Sequence, residues 1–238
     1  MREIKTWRDP YGEGFSTCSR KVIEFQPGLT VLVGCNGSGK TTLLMNIEEE
    51  LKKEKVPCAK YNNLSESNDA IGQSLFENDF GMAGTLMCSS EGECITINMA
   101  RFAKNLREFI HNGKYFKSKK DFNMESIFKT EEEMKAEIEE KKKHKERWIL
   151  LDAIDSGLSI DNVLDFKDLF NAVLEEGKSL DLDIYIVVSA NEYELVDGSQ
   201  CLDVTTGKYK TFSDYKDFRK FIIHTREKKD KRYGDKKG

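Results

Sequence analysis

Residues Gly34 to Thr42 read GCNGSGKTT, which fits the spacing G-x-x-x-x-G-K-[ST] with Gly34, Gly39, Lys40 and Thr41 in the defining places. Each residue type has a physical reason. Glycine lets the backbone turn and come close to a ligand where a Cβ would clash. The N–H groups so exposed, backed by a helix N-terminus, form a nest for negative charge. Lys40 reaches β- and γ-phosphates, and the Thr41 hydroxyl ligates Mg²⁺. The flanks agree with this assignment: Leu29-Thr-Val-Leu-Val33 reads as a strand entering the turn, and Thr42-Leu-Leu-Met-Asn-Ile-Glu48 as a helix leaving it. A chain that must run strand, glycine turn and helix in this order is committed to an α/β architecture. The predicted ligand is a nucleoside triphosphate with Mg²⁺, held by Gly34, Asn36, Gly37, Ser38, Gly39, Lys40, Thr41 and Thr42.

With 238 residues there is room for one ample α/β domain with an embellishment. The 38 basic and 42 acidic residues nearly cancel, so net charge gives no global preference for nucleic acid or membrane. No apolar run nears the roughly 20 residues of a spanning helix, and MREIKTWRDP lacks the apolar core of a secretory signal. Six cysteines without a C-x-x-C pair read as reduced, mostly buried thiols, so the expected compartment is the cytoplasm.

Along the chain, Glu3–Trp7 and Arg20–Phe25 have strand character, and Gln26-Pro-Gly28 turns into the strand of the glycine loop. A helix to about Lys53 and a strand over Val56–Tyr61 follow. The stretch after Glu93 reads as a helix to about His111, with Phe102, Leu106 and Ile110 on one face. Residues 112–147 are a charged insert in which Thr130 and Glu133 form a capping box. Alternation then resumes, with strands at Trp148–Leu151, Ile184–Val188 and Cys201–Val204 and helices at Val163–Glu175, Glu192–Leu195 and Tyr215–Thr225. Strands alternating with helices predict a mostly parallel sheet covered on both faces, preceded by N-terminal antiparallel strands. We place one domain over residues 1–225 and a basic, disordered tail over 226–238.

A phosphate loop needs an acidic strand end to hold the metal, and Trp148-Ile-Leu-Leu-Asp152 supplies one. The continuation Asp152-Ala-Ile-Asp-Ser-Gly-Leu-Ser159 resembles the D-E-P-T-S-G-L-D block of ABC-type ATPases. Upstream, Ser89-Ser-Glu-Gly-Glu93 is similar to their L-S-G-G-Q signature, with Ser90, Gly92 and Glu93 in the matching places. The three motifs stand in the family's order, and the asparagine in G-x-N-G-S-G-K-T-T has the flavour of the soluble RecF/SMC-like branch, in a compact form reminiscent of phage or mobile-element proteins. The resemblance implies an ABC ATPase head, ATP as the nucleotide, and a homodimer. In it two copies, arranged head to tail, sandwich ATP between one loop and the partner's Ser90 and Gly92.

The pattern also breaks. Ala153 stands where the family has the glutamate that activates water; Asp155, two residues on, is the candidate replacement, with a D-loop cap or an interface acid as its other reading. Ala190 stands at the switch-histidine position, leaving Ser189 or Asn191 to contact the γ-phosphate. For the glutamine that ligates Mg²⁺ the chain offers Asn62, Asn63 and Gln73, of which Gln73 is taken, beside Thr41 and Asp152. Tyr11 or Phe15 is the candidate adenine stacker. The expected catalytic set is therefore Asp152, Asp155 and Lys40.

These readings predict a soluble ATP-binding protein whose ATP·Mg²⁺-driven dimerisation acts on DNA or a protein partner, with slow hydrolysis. The partner contact is expected through 112–147, where Lys114, Lys117, Lys119 and Lys120 interleave with Tyr115 and Phe116, or through the basic tail. The alternatives are a non-hydrolysing, ATP-gated binding module and the nucleotide-binding subunit of a membrane transporter.

Overall fold

A computed structural model of the chain describes residues 1–8, 18–62, 91–114, 130–155 and 158–234. Their elements are, in order, β1 (Arg2–Lys5), β2 (Val22–Phe25), β3 (Gly28–Val33), α1 (Lys40–Lys53), β4 (Cys58–Asn62), α2 (Glu91–Asn112), α3 (Glu131–Lys142), β5 (Glu146–Asp152), α4 (Ile160–Ser179), β6 (Asp183–Ser189), α5 (Tyr193–Val196), β7 (Gln200–Asp203), β8 (Lys208–Lys210) and α6 (Tyr215–Gly234). Six strands make one sheet in the order β4-β5-β6-β3-β7-β8, and β1 and β2 form a separate antiparallel pair. Every pairing in the large sheet is parallel except β7 with β8.

The central strands are apolar on both faces because helices cover both. Alternate residues go to opposite sides of a strand, and here they enter two different cores. Val31, Val33, Ile149, Leu151, Ile186 and Val188 meet Phe102, Leu106 and Phe109 of α2 and Val163, Phe166 and Phe170 of α4. Leu32, Trp148, Leu150, Tyr185 and Val187 meet Leu43, Leu44, Ile47 and Leu51 of α1, together with Ile4, Ile23 and Phe25 of the antiparallel pair. Trp148 stacks flat on Tyr185, ring centroids 4.3 Å apart, and Phe25 abuts Trp148 edge-on. Burying each such aliphatic side chain contributes about 2 kcal/mol, so the two cores fix the strand register firmly.

The charged insert is anchored at its base. The capping box at Thr130 forms as its sequence predicts, with Thr130 and Glu133 exchanging side-chain bonds to each other's backbone N–H. Arg147 is 1% exposed, and its guanidinium donates to the carbonyls of Ile110, His144, Glu146 and Lys142, which ties the ends of α2 and α3 to the start of β5. Lys114, read from sequence as a nucleic-acid contact, is instead buried and paired with Glu137 at 3.0 Å. The remaining basic and aromatic residues of that cluster lie outside the described residues.

One element goes unread in the sequence, and one expectation changes. Lys208–Lys210, too short and polar to read as a strand, pairs with β7 across a turn closed by Gly207 N–H to the Asp203 carbonyl. The segment from Arg226, read as a disordered tail, continues α6 as helix through Gly234. Among the described residues no helix is long and apolar enough to cross a membrane.

Candidate nucleotide-binding site

The site grows from the C-terminal ends of β3, β5 and β6. β3 ends at Val33 and the chain turns through Gly34–Gly39 into α1. Gly34 has φ of 153°, and a Cβ added there would lie 2.5 Å from Ser38 Oγ, so the loop closes only around glycine. Ser38 N–H donates to the Cys35 carbonyl to make the turn. Gly39 caps α1 in a left-handed conformation (φ 102°) without a side-chain hydrogen bond. No side-chain cap therefore competes with an anion at the N-terminus of α1, where helix geometry favours negative charge. Ser38 Oγ is buried and has no hydrogen-bond partner among the described residues, an orphan donor inside the loop.

Lys40 folds back along the loop and donates to the Gly34 carbonyl at 2.8 Å. Burial lowers its ammonium below the ordinary lysine value, an effect opposed by Cys35, Asp155 and Asp152. The two carboxylates therefore lie within electrostatic reach of Lys40. Thr41 is exposed on the first turn of α1, whereas Thr42 is buried beneath it.

Asp152, 6% exposed, closes β5 and is held from the adjacent strand end. Ser189 Oγ donates to Asp152 Oδ1 at 2.7 Å and accepts the Ala153 N–H at 2.8 Å. Ser189 thus orients the carboxylate, leaving Oδ2 for another partner; sequence reading had placed this serine only as a γ-phosphate contact. Asn62, the last residue of β4, is in register with Asp152 on the other side.

Among the described residues just beyond Asp152, each is either apolar or already engaged. Ala153 carries a methyl group and sits at φ 53°. Asp155 is 2% exposed, and its Oδ2 accepts the N–H groups of Asn191 (2.5 Å) and Glu192 (2.8 Å), with Oδ1 3.5 Å from Asn191 Nδ2. That is the geometry of a cap tying the turn after β5 to the turn after β6. Ala190, set by the resemblance at the switch-histidine place, is buried in the main core.

Of the other predicted residues, Gly92 lies in the first turn of α2. Ser90, Gln73, Asn63, Tyr11 and Phe15 lie outside the described residues. Two residues that sequence reading missed reach the loop from α6. Thr225 Oγ1 accepts the Cys35 N–H at 3.3 Å, and Lys229 Nζ donates to the Asn36 carbonyl at 2.8 Å. The available signal was a spacing: Phe218, Ile222, Thr225 and Lys229 share one face of a helix.

Comparison with known proteins bears on this arrangement. A family profile described as an AAA domain matches residues 23–187. No curated protein matches at a significant level. Among solved structures, the chain is similar to cbiO1 from Clostridium perfringens, described as part of the ABC transporter complex cbiONQ; the match has 14% identity, covers 87% of this chain and 86% of that one, and has a TM-score of 0.43. The profile match runs from β2 into β6 and takes in both the glycine loop and Asp152, which places this chain in the AAA domain family, among the ATP-binding P-loop ATPases.

Proposed function

We propose that this protein is a soluble ABC-type ATPase of the RecF/SMC-like kind, in which ATP·Mg²⁺ joins two copies head to tail and hydrolysis is slow. The observation that carries the slow-hydrolysis reading is the constellation at the end of β5. A metal-type carboxylate is held in place by Ser189, but the next residue is an alanine and the nearest spare acid, Asp155, is taken up by two backbone N–H groups. Removing a positioned general base costs roughly 100- to 10,000-fold in rate. Among the described residues the binding groups are retained, while a free carboxylate beside Asp152 is not.

The donor set fits Mg²⁺. Thr41 would offer a hydroxyl and Asp152 a carboxylate, both hard oxygen ligands of the kind Mg²⁺ takes. Such an ion neutralises phosphate charge; the chain's own contribution is the loop amides, Lys40 and the orphan Ser38 hydroxyl. The same loss of a base favours a second reading, in which ATP gates a binding module with no turnover. In either reading the dimer's released or joined state acts on a DNA or protein partner, through residues 112–147 or the basic C-terminal segment.

Two measurements test the proposal. Light scattering after size exclusion, with and without ATP·Mg²⁺, is expected to show a doubled mass that Ser90→Arg abolishes; an unchanged wild-type mass sinks the dimer. Single-turnover hydrolysis is expected to be slow in wild type and at least tenfold faster in Ala153→Glu. Wild-type turnover that Ala153→Glu leaves unchanged removes the claim that position 153 limits the rate, and no measurable wild-type turnover selects the gated module.

A further inference from the structure

We propose that Lys229, on the C-terminal helix, is a nucleotide-binding residue that adds a second cation to the phosphate loop. The inference rests on the reading of that loop as a triphosphate site. Its physical basis is the way α6 is seated. Phe218 is buried, and Phe221 and Ile222 pack on the main core, which fixes the rotation of the helix. The same face continues, at helical spacing, through Thr225 and Lys229. Thr225 is 4% exposed, and its hydroxyl accepts the Cys35 N–H and donates to the Ile222 carbonyl at 2.9 Å. This pins the helix to the first part of the loop.

One turn further on, the Lys229 ammonium donates to the Asn36 carbonyl and stands 3.5 Å from where a Cβ on Gly37 would lie. Between Arg226 and Lys231 it is the one residue that is partly buried, the others being exposed. Arg226 approaches a carboxylate, Asp230, at 3.9 Å, whereas Lys229 has no carboxylate partner among the described residues. The ammonium has three donors; one is placed on a carbonyl at the loop's crown, and among the described residues no carboxylate pairs with its charge. Lys40 approaches the loop from the α1 side, on the Gly34 carbonyl, so the two lysines flank the glycine turn from opposite ends. The ligand chemistry that satisfies both is a polyphosphate. Asn36 and Gly37 are exposed, so the path from Lys229 to a bound phosphate is open.

The test is nucleotide affinity, measured by titration of the full chain with ATP, ADP and adenosine at low and high salt. Lys229→Ala is expected to weaken ATP binding roughly fivefold and Lys229→Glu more than about thirtyfold, as removal and reversal of a nearby half-screened charge imply. Lys229→Arg retains affinity, adenosine binding does not change, and the loss shrinks at high salt. Lys229→Gln decides between charge and scaffolding, because its amide still donates to the Asn36 carbonyl. Weakening like that of Lys229→Ala supports the inference, and wild-type affinity in Lys229→Gln overturns it, leaving Lys229 as a strut. Thermal unfolding of each variant without nucleotide separates loss of affinity from loosening of α6. A wild-type chain that binds no nucleotide at all removes the phosphate-loop reading itself, and this inference with it.

Discussion

Replacing Ser189 by alanine removes one hydroxyl and strands two partners. Ser189 is 1% exposed, so water does not take over its bonds. The Asp152 carboxylate loses a charge-assisted hydrogen bond of 2.7 Å, a loss of about 2 kcal/mol. The Ala153 N–H loses its acceptor in a residue held at positive φ, a further cost of about 1 kcal/mol. The expected destabilisation is therefore about 3 kcal/mol, which in a chain of this size lowers Tm by roughly 6–12 °C. Urea denaturation of Ser189→Ala, Asp152→Asn and the double variant measures it. The cycle should show a coupling of about 1–2 kcal/mol between the two positions. A functional readout accompanies the stability one: Ser189→Ala should weaken ATP binding in the presence of Mg²⁺ and leave Mg²⁺-free binding nearly unchanged. A loss below about 0.5 kcal/mol with no coupling would refute the reasoning that this serine holds the carboxylate.

Three further outcomes follow from packing and charge. Gly177→Ala should destabilise the fold by about 1–3 kcal/mol despite alanine's better helix propensity, because the new Cβ would lie 2.1 Å from Ile184 Cγ1; stabilisation in urea denaturation would contradict this packing. Tyr185→Phe should be neutral or stabilising by about 1 kcal/mol, since the buried hydroxyl has no partner among the described residues and burial pushes its ionisation up to about 12; a clear loss of stability would reveal a bond to that oxygen. The Glu176 carboxyl is held below its ordinary value of 4.5 by His111, with Arg107 adding to it. A depressed carboxylate stabilises above the unfolded value and loses that contribution as pH falls through the folded one, so Glu176→Gln should remove about 0.5 kcal/mol near neutral pH and nothing at strongly acidic pH.

The parts of the fold legible in the sequence are those where one physical requirement dominates. The strands β3, β5 and β6 are apolar on both faces, so each reads as an unbroken run, and the glycine loop between β3 and α1 has a spacing that few other structures need. Thr130 and Glu133 announce a helix start by local chemistry alone. β8 was hidden because Lys-Tyr-Lys at a sheet edge carries no apolar pattern; its identity comes from pairing with β7. The last turns of α6 were hidden for a related reason. Their inward face changes from Phe218 and Ile222 to Thr225 and Lys229, so the apolar stripe stops where the contact with the loop begins. At the site, Lys40, Thr41 and Asp152 follow from spacing, whereas the roles of Ser189 and Asp155 depend on which strand ends are neighbours. That order, with β6 between β3 and β5, is a property of the folded sheet.

The guanidinium of Arg147 gathers the bases of two helices onto the first turn of a strand, and the far end of that strand is Asp152. The two residues are five apart on β5, about 16 Å at the rise of an extended chain. β5 is paired on both edges, so neighbouring strands oppose its bending from either side. The base of the insert and the carboxylate of the site thus share one uninterrupted strand, with no loop between Arg147 and Asp152.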